Sequence, residues 1–598
     1  MTFTTRPTLR GTFGMVSSSH WLASGAAMGI LERGGNAFDA AVCAGFVLHV
    51  AEPHMNGPGG EVPAIISTAT DKSPRVLCGQ GVAPRRATIA HFRDLGIDRI
   101  PGAGLLAATV PGAVDAWLLL LRDHGTLPLR DVLDAAIGYA RAGHPLAPGV
   151  HQTISSVQEL FTEHWPTSAA VWLPGGEPPE PHAMFANKAY ADTLELLLVQ
   201  AERGGGDRED QIERARRIWR EGFVADAIDA FAKQALHDSS GEEHAGLLTA
   251  DDLADWQATW EDPLTLEWNG YVVAKTGAWG QGPVLLQTLA ILDALGDVDE
   301  LDLDSERDVH FAVEAVKLAM ADREAWYGDV PDAPIHTLLS RSYAEKRAGL
   351  IGALAAETLR PGSPDGREPV LPEAFTRRVG GLLEHGGATG EPAMQEIRAD
   401  GVTRGDTCHV DVVDRWGNMI AATPSGGWLQ SSPTIPDLGF CLGSRAQMFW
   451  LEEGLSSSLE PGRRPRTTLS PTLVLRDGEP VLACGSPGGD QQDQWQLPFL
   501  LRVLGKGMSL QEAIDAPTWH TSAFPSSFWP REMEPRSLTI EDRVSPDLVT
   551  ALGRRGHRVT TSGAWTLGRL CAVARDPGSG VLSAGANPRG MQGYAAGR

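Results

Sequence analysis

The sequence predicts an α/β protein whose β-sheets are covered by helices. Two observations support this fold class. In the first part of the chain apolar residues recur mostly at helical spacing, whereas after residue 407 strand patterns alternate with helical segments. Alternating blocks of strands and helices are typical of sheets with helices packed on their faces. The chain has 598 residues, of which 42% are hydrophobic, so it is long enough for several cores or for one large core with insertions.

Two apolar helices are predicted near the start of the chain, over residues 22–33 and 37–50. A Gly-Gly pair separates them, and Asn36 is placed to cap the second helix. The glycine-rich run 52–60 then predicts a tight turn. A later helix is predicted to begin near Ser305, where valine and alanine residues mark one apolar face.

Residues 355–406 differ from the segments around them. They contain a Gly-Gly pair, several prolines and many charges, with weak periodicity. We interpret them as a mobile segment that ends at Thr407. A flexible stretch before a cleavage point is what a self-processing chain needs, although any long surface loop has a similar composition.

After Thr407 the sequence predicts strands and hairpins. Apolar residues alternate with polar ones, and Asp-Gly and Pro-Gly pairs predict turns between two later pairs of strands. The predicted strands cover residues 409–414, 418–423, 472–476, 481–484, 570–575 and 581–585. Helices are predicted between them over residues 495–504 and 545–554.

Composition argues against several classes of function. The net charge of −24 and the lack of a basic stripe argue against nucleic acid or an anionic membrane as a partner. No apolar stretch approaches the roughly 18 residues of a membrane span, and the first ten residues do not resemble a secretory signal. Six scattered cysteines without a CxxC pair predict reduced, buried thiols and a cytoplasmic protein. Neither an HExxH motif nor a Cys/His cluster is visible, so we predict no metal and no cofactor.

The candidate catalytic residue is Thr407, within the run Gly-Asp-Thr-Cys-His at 405–409. A threonine hydroxyl can attack an amide when its own α-amino group is free to act as the base, which requires cleavage between Asp406 and Thr407. Taken alone, such a run is more often an ordinary loop before a strand. Cys408 is a rival nucleophile, because cysteine also serves at chain N-termini.

Several motifs, in their order and spacing, resemble the γ-glutamyltransferase superfamily of N-terminal nucleophile hydrolases over nearly the whole chain. Each motif is weak by itself, and the combination carries the resemblance. The matching segments are residues 23–24, 34–42, 50–54, 107–114, 406–409, 464–471 and 485–489.

The resemblance implies an αββα sandwich, in which two stacked antiparallel sheets are covered by helices. It also implies a precursor that cuts itself before Thr407 into a large chain, residues 1–406, and a small catalytic chain, residues 407–598. The two chains are expected to stay together as one structural unit, which can pair again into a dimer of heterodimers.

The resemblance also assigns catalytic roles within the small chain. Thr407 is expected to be the nucleophile in both processing and catalysis, and the register set by the following His409 favours it over Cys408. Gly488 and Gly489 match a pair of backbone amides that stabilise the oxyanion. A simple Gly-Gly turn after a strand has the same sequence.

Four hydroxyl residues match other positions of the family site. Thr467 and Thr468 stand where the family has a pair of serines that bind substrate. Ser425 stands where the family has a threonine that supports the nucleophile, and Thr423 lies two residues earlier on the same strand face. Ser425 and Thr423 could instead be structural hydroxyls on a half-buried strand.

The chain departs from the γ-glutamyl pattern where the family holds an amino-acid head group. Gln80 replaces the Arg that binds the α-carboxylate, and Gly427 replaces an Asn. Gln447 is followed by aromatic residues, so that Trp450 replaces the Asp that binds the α-amino group. A zwitterionic head group in a closed site needs opposite charges, so we expect a smaller or more apolar pocket.

The stretches 424–433 and 489–495 resemble the branch of the superfamily that includes oxamate amidohydrolase. We therefore predict hydrolysis of a small amide such as oxamate, with Arg445, Arg464 or Arg466 available to meet a small carboxylate. The alternatives are a γ-glutamyl hydrolase or transpeptidase acting on glutathione-like compounds, a β-lactam side-chain acylase, and a degenerate relative without enzymatic activity.

Overall fold

The structure is a computed structural model and is described over residues 3–296, 301–376 and 407–598. Asp406 and residues 377–406 of the predicted mobile segment therefore lie outside the described residues. Within the described ranges the α-helices are α1 (Trp21–Glu32), α2 (Ala37–Ala51), α3 (Ile89–Asp94), α4 (Ala113–His124), α5 (Leu129–Ala142), α6 (Pro148–Ser156), α7 (Gln158–Glu163), α8 (Pro166–Trp172), α9 (Lys188–Arg203), α10 (Arg208–Glu221), α11 (Phe223–Ala232), α12 (Ala250–Asp255), α13 (Pro283–Leu295), α14 (Glu306–Trp326), α15 (Ile335–Leu338), α16 (Arg341–Ala348), α17 (Glu373–Thr376), α18 (Gln492–Leu500), α19 (Leu510–Asp515) and α20 (Pro546–Arg554).

The strands are mostly short. In chain order they are β1 (Leu9–Gly11), β2 (Gly14–Ser18), β3 (Val62–Ser67), β4 (Arg75–Gly79), β5 (His144–Pro145), β6 (Met184–Phe185), β7 (Leu236–His237), β8 (Glu243–His244), β9 (Thr259–Glu261), β10 (Leu264–Trp268), β11 (Tyr271–Lys275), β12 (Val410–Asp414), β13 (Met419–Ala422), β14 (Thr472–Arg476), β15 (Glu479–Gly485), β16 (Trp519–His520), β17 (Ser537–Glu541), β18 (Arg558–Ser562), β19 (Cys571–Arg575), β20 (Leu582–Ala586) and β21 (Tyr594–Gly597). The six predicted after Thr407 are present within a few residues of the predicted bounds as β12, β13, β14, β15, β19 and β20, whereas β16, β17, β18 and β21 were not predicted.

Two seven-stranded antiparallel sheets form the centre of the described structure. The first sheet has the strand order β21-β2-β12-β13-β3-β4-β9, and the second has the order β1-β20-β19-β15-β14-β11-β10. Apolar residues of both sheets, among them Val413 and Val573, pack together in one buried layer. Each sheet thus contains strands from both sides of Thr407, so the predicted large and small chains share one core.

Helices cover the outer face of each sheet. Residues of α1, α2, α4, α5, α9 and α10 form one core with β12 and β13, and residues of α13, α14 and α18 form another with β14 and β15. The layers are therefore helix, sheet, sheet and helix, as the sequence predicts. No helix in the described ranges is long and apolar enough to cross a bilayer.

Local sequence explains how the first helices and the hairpins form. Asn36 caps α2 through a capping box with Asp39, because its side chain accepts the Phe38 and Asp39 amides while Asp39 accepts the Asn36 amide. Asp477 and Gly478 both have positive φ angles, of 51° and 77°, which suits the tight turn between β14 and β15. These predicted elements are confirmed.

The described part of the segment 355–406 lies against α14. The Ala356 amide donates to Glu314 at 3.2 Å, Arg360 donates to the same carboxylate at 2.9 Å, and the Gly362 amide donates to Asp322 at 2.6 Å. This part of the segment is thus joined to the helical layer beneath the second sheet.

The contact between α2 and α4 gives a test of the helical layer. A Cβ atom at Gly45 of α2 would lie 2.4 Å from the buried Trp117 ring of α4, whereas a Cβ atom at Gly25 of α1 would meet nothing within 4 Å. We expect Gly45→Ala to lower the free energy of unfolding by about 1–3 kcal/mol through overpacking. Gly25→Ala is the matched control and should raise it by about 0.5–1 kcal/mol. Thermal denaturation compares the two variants, and a Gly45→Ala protein as stable as the control would contradict this packing.

Candidate active site

The register of the first sheet aligns three polar side chains beyond the ends of its strands. Val410 pairs with Ala422, and Ala422 pairs with Ala64. The same register continues outward as isolated bridges, which pair Thr407 with Ser425 and Ser425 with Glu61. Because residues directly opposite on antiparallel strands point to the same face, these three side chains form a row on the face that turns towards the second sheet.

Hydrogen bonds connect this row to Arg445. The Thr407 hydroxyl donates to Ser425 Oγ at 3.2 Å, and Arg445 Nη2 donates to the same oxygen at 3.0 Å. Arg445 Nε donates to Glu61 Oε1 at 2.6 Å. All four side chains are buried. The Glu61–Arg445 pair therefore fixes the Ser425 hydroxyl, which in turn receives the Thr407 hydroxyl.

Gln492 makes a second contact with the Thr407 hydroxyl. Its Oε1 atom accepts the Ser470 amide at 3.0 Å, and its Nε2 atom donates to Thr407 Oγ1 at 3.5 Å. A backbone N–H can only donate, so the Ser470 contact determines which end of the Gln492 amide points at Thr407. Sequence reasoning did not single out Gln492, although the stretch 489–495 contains it.

Gly488 and Gly489 form the turn that leads from β15 to Gln492. Their φ angles are 129° and 52°, and a Cβ atom at Gly488 would lie 2.2 Å from the Trp495 ring. A larger residue is excluded at Gly488 both by backbone conformation and by space. The turn that carries both glycines thus reaches the Thr407 hydroxyl through Gln492.

Cys408 points to the opposite face of the sheet. Its Sγ atom donates to Glu52 Oε2 at 3.0 Å and receives a hydrogen bond from Asn56 Nδ2 at 3.1 Å. The Ser19 hydroxyl donates to the same Glu52 oxygen at 2.7 Å. The thiol is therefore part of a separate polar group on the helix side of the sheet, away from Ser425.

Thr423 contacts His409 and lies two residues before Ser425 on the same face of the sheet. His409 Nδ1 and Thr423 Oγ1 are 2.9 Å apart, and His409 Nε2 and Asp411 Oδ1 are 2.8 Å apart. Burial raises the pKa of Asp411 to about 6, and the neighbouring His409 opposes this shift. Gly485 on the second sheet leaves room for the His409 ring, since a Cβ atom there would lie 2.2 Å from the ring.

Thr467 and Thr468 enter the site region from the second sheet's side, next to α13. The Thr467 backbone pairs with the backbones of Trp279 and Gln281, and its hydroxyl accepts the Leu469 amide at 3.4 Å. Thr468 Oγ1 is buried and has no hydrogen-bond partner in the described part of the chain. Of the predicted pair, Thr467 is therefore the one whose hydroxyl is engaged by the protein.

Gln447 lies in a short 3₁₀ segment, Arg445–Met448, and Trp450 follows two residues after its end. Gln447 Nε2 donates to the Gly102 carbonyl at 3.0 Å, and Gln447 Oε1 accepts the Trp529 amide at 3.1 Å. The Arg531 guanidinium lies over the Trp450 ring, 4.1 Å from its centroid. The structure thus places a cation, which sequence reasoning missed, against the aromatic residue that replaces the family's aspartate.

In the structure, Gln80 and Gly427 contact backbone atoms rather than the side chains of the candidate catalytic residues. Gln80 is fully buried, its Nε2 atom donates to the neighbouring Gly81 carbonyl, and its Oε1 atom has no partner among the described residues. Gly427 has a φ angle of 63° and packs tightly against Gly59 and Gly60. The glycine-rich run 52–60 therefore supports the segment after β13 that carries Ser425.

None of the three arginines proposed to meet a substrate carboxylate lacks a protein partner. Arg445 pairs with Glu61, Arg464 pairs with Asp329 at 2.7 Å, and Arg466 pairs with Glu324 at 2.7 Å. Those three ion pairs were not foreseen, because each carboxylate lies far away in sequence. No signal in a single sequence identifies Glu61 or Arg531 either.

A group of possible metal ligands lies outside this site. His310, Glu314 and His557 offer ligand atoms within 4.8 Å of one another. However, Lys317 and Arg360 already donate to the two Glu314 oxygens, and His310 Nδ1 lies 2.8 Å from His557 Nε2. The donors are therefore engaged with each other and with cations, which does not favour a metal.

The buried Asp411 carboxylate predicts a pH-dependent stability. Its pKa of about 6 in the folded chain exceeds the ordinary value of 3.8, so its stabilising contribution is present below pH 4 and is lost as the pH rises through 6. Asp411→Asn keeps an acceptor for His409 without a charge. We expect this variant to be about 3 kcal/mol more stable than the wild type at pH 8 and nearly equal to it at pH 4. Thermal denaturation at both pH values tests this, and a variant that is less stable at pH 8 would contradict it.

Comparisons with known proteins agree with this architecture. A family model described as Gamma-glutamyltranspeptidase matches residues 23–597. The "Glutathione hydrolase-like YwrD proenzyme" of Bacillus subtilis (strain 168) is 32% identical, over 97% of this chain and 98% of that protein. The "Oxamate amidohydrolase proenzyme" of Klebsiella pneumoniae is 30% identical, over 98% of each.

Solved structures agree over the full length of the chain. A structure of LmbA2991 is 57% identical, covers 100% of both chains and has a TM-score of 0.94. The cephalosporin acylase from Bacillus halodurans is 27% identical, covers 100% of this chain and 97% of its own, and has a TM-score of 0.81. The predicted N-terminal nucleophile hydrolase fold is confirmed. The chain belongs to the γ-glutamyltranspeptidase family and is an enzyme that hydrolyses amide bonds.

Proposed function

We propose that this chain is a self-processing amidohydrolase that uses Thr407 as its N-terminal nucleophile and hydrolyses a small amide such as oxamate. The observation that carries this proposal is the row of Thr407, Ser425 and Glu61, fixed by Arg445. An ordinary loop threonine does not need its hydroxyl held by a serine that a buried ion pair fixes and by an oriented glutamine amide.

The same hydroxyl accounts for processing. Thr407 Oγ1 attacks the Asp406 carbonyl carbon, the peptide C–N bond breaks, and the Thr407 nitrogen leaves as an amine with the hydroxyl proton. Water then hydrolyses the resulting ester, which restores the hydroxyl and leaves a carboxylate at Asp406. The products are residues 1–406 and 407–598, which share both sheets and therefore stay associated.

In catalysis the freed α-amine acts as the base. Its ordinary pKa is near 8, so about a tenth of it is unprotonated at pH 7 and able to accept a proton, and this fraction rises as the pH approaches 8. The hydroxyl attacks the substrate amide, Gly488 and Gly489 donate to the oxyanion, and the leaving amine takes the proton. Water then releases the acyl group as an acid. Ser425 and Gln492 orient the hydroxyl throughout.

The residues around this centre favour a small substrate over a γ-glutamyl one. Gln80 and Trp450 are neutral where the family pattern has an arginine and an aspartate, so a zwitterionic head group would remain unpaired. Trp428 and Phe528 flank Arg445, at 5.2 Å and 5.8 Å from its guanidinium, and reduce the room next to Ser425. The 30% identity to a protein named oxamate amidohydrolase supports the same substrate class.

Two wider proposals concern the whole protein. The processed chains form a heterodimer, which can pair again. The enzyme acts in the cytoplasm, and its six buried cysteines, none of them in a disulfide, support a reducing compartment.

A comparison of two substrates tests the proposed function. We expect the purified protein to release ammonia from oxamate with a higher kcat/KM than it releases aniline from a γ-glutamyl anilide. Thr407→Ala should lower the oxamate activity by at least about 1000-fold, because it removes the group that forms the acyl-enzyme. Cys408→Ala is the control and should keep most of the activity, since its thiol lies on the other face of the sheet.

Each contrary outcome removes a different part of the proposal. Faster turnover of the γ-glutamyl anilide, lost in Thr407→Ala, would replace the substrate class and keep the nucleophile. Activity that survives in Thr407→Ala and disappears in Cys408→Ala would move the chemistry to the thiol.

A further inference from the structure

We propose that Arg531 and Trp450 form a subsite for a carboxylate of the substrate, so that the enzyme acts on half-amides of dicarboxylic acids. This inference deepens the proposed function and rests on it. It assigns the anion-binding role to a residue other than Arg445, Arg464 and Arg466.

The turn that carries Arg531 bridges two parts of the candidate site. Ser527 donates to Asp490, directly after the Gly488–Gly489 turn, through its amide at 2.8 Å and its hydroxyl at 2.6 Å. The Trp529 amide donates to Gln447 Oε1 at 3.1 Å. Arg531 therefore lies on a segment that is tied to the oxyanion turn at one end and to the 3₁₀ segment of Arg445 at the other.

The Arg531 guanidinium is buried and only partly satisfied by the protein. Its Nη2 atom donates to the Gln447 carbonyl at 2.7 Å and to the Phe449 carbonyl at 2.9 Å, and its flat face covers Trp450. Its Nη1 atom is buried and has no hydrogen-bond partner among the described residues. The side chain is 5% exposed, so water does not replace the missing acceptor freely.

The surrounding charges leave Arg531 without a counter-ion. Arg323 and Arg466 share the carboxylates of Glu324 and Asp490, and no carboxylate oxygen in the described ranges lies within ion-pair distance of Arg531. These three buried arginines thus face two buried acids. Burial lowers the pKa of Arg531 to about 9, since taking an unpaired cation out of water costs several kcal/mol.

A carboxylate bound at Nη1 of Arg531 balances the excess of one positive charge among these buried groups. It supplies the missing negative charge and the missing acceptor together, and a guanidinium binds a carboxylate more tightly than a neutral oxygen. The Trp450 ring lies against one face of the guanidinium, and two backbone carbonyls hold its Nη2 atom. An ammonium group, in contrast, would add a further cation to a region that already has one in excess.

Calorimetry with product-like dicarboxylates tests the inference without turnover. Oxalate, malonate, succinate and glutarate are titrated into the wild-type protein and into Arg531→Gln. We expect at least one of the four to bind the wild type and to bind Arg531→Gln at least tenfold more weakly, as the loss of a charge-assisted hydrogen bond implies. Arg531→Lys, which keeps the charge without the planar fork, should bind with intermediate strength.

Arg99→Gln is the matched control for the shape of the turn. Arg99 donates a hydrogen bond to the Pro530 carbonyl at 2.7 Å. The variant therefore removes one positive charge and one hydrogen bond to the turn that carries Arg531, and it leaves Nη1 of Arg531 in place. We expect it to change dicarboxylate binding by less than twofold. Equal weakening in Arg99→Gln and Arg531→Gln, unchanged binding in both Arg531 variants, or no binding of any dicarboxylate to the wild type would each overturn the inference.

Failure of the proposed function gives a different result. If oxamate releases no ammonia but dicarboxylate binding still depends on Arg531, the subsite stands and the chemistry is wrong. If oxamate is hydrolysed and binding ignores Arg531, the chemistry stands and the subsite is wrong.

Discussion

The position of the Thr407 side chain opposite Ser425 depends on the pairing register of β12 and β13. β12 begins at Val410 and β13 ends at Ala422. The same register continues beyond them through the bridge between Thr407 and Ser425 and on to Glu61. A slip of one residue would turn Thr407 towards the helices and bring Cys408 to face Ser425. Buried apolar residues on both faces of β12 oppose such a slip, so the hydrophobic cores that stabilise the fold also determine that Thr407, rather than Cys408, faces Ser425.

Buried ion pairs then fix the polar groups around this register. Arg445 is paired with Glu61 and Arg466 with Glu324, each deep in the protein. Such pairs add little net stability over apolar residues, but removal of one partner strands a buried charge and costs about 3–5 kcal/mol. They therefore act as geometric constraints. Arg531 is the exception, because it has no carboxylate partner among the described residues. In our proposal a substrate carboxylate is its counter-ion.

Sequence reasoning predicted the first helices and the hairpins after Thr407, because apolar periodicity and capping or turn residues are local signals, and it predicted the four layers through the resemblance to a family. It also predicted Thr407, Ser425 and the Gly488–Gly489 turn as one site, through the resemblance to a family. It could not find Glu61, Gln492 or Arg531, since their importance comes from partners that are distant in sequence. It offered Arg445, Arg464 and Arg466 as carboxylate binders, and only the structure shows their protein partners.

The intact mass of the purified protein under denaturing conditions, with N-terminal sequencing of any smaller fragment, tests the central claim most directly. The account predicts two chains, the smaller beginning Thr-Cys-His-Val, because a free amine at Thr407 is what the held hydroxyl requires. A single chain that stays uncut for days, or a fragment that begins at Cys408, would contradict it.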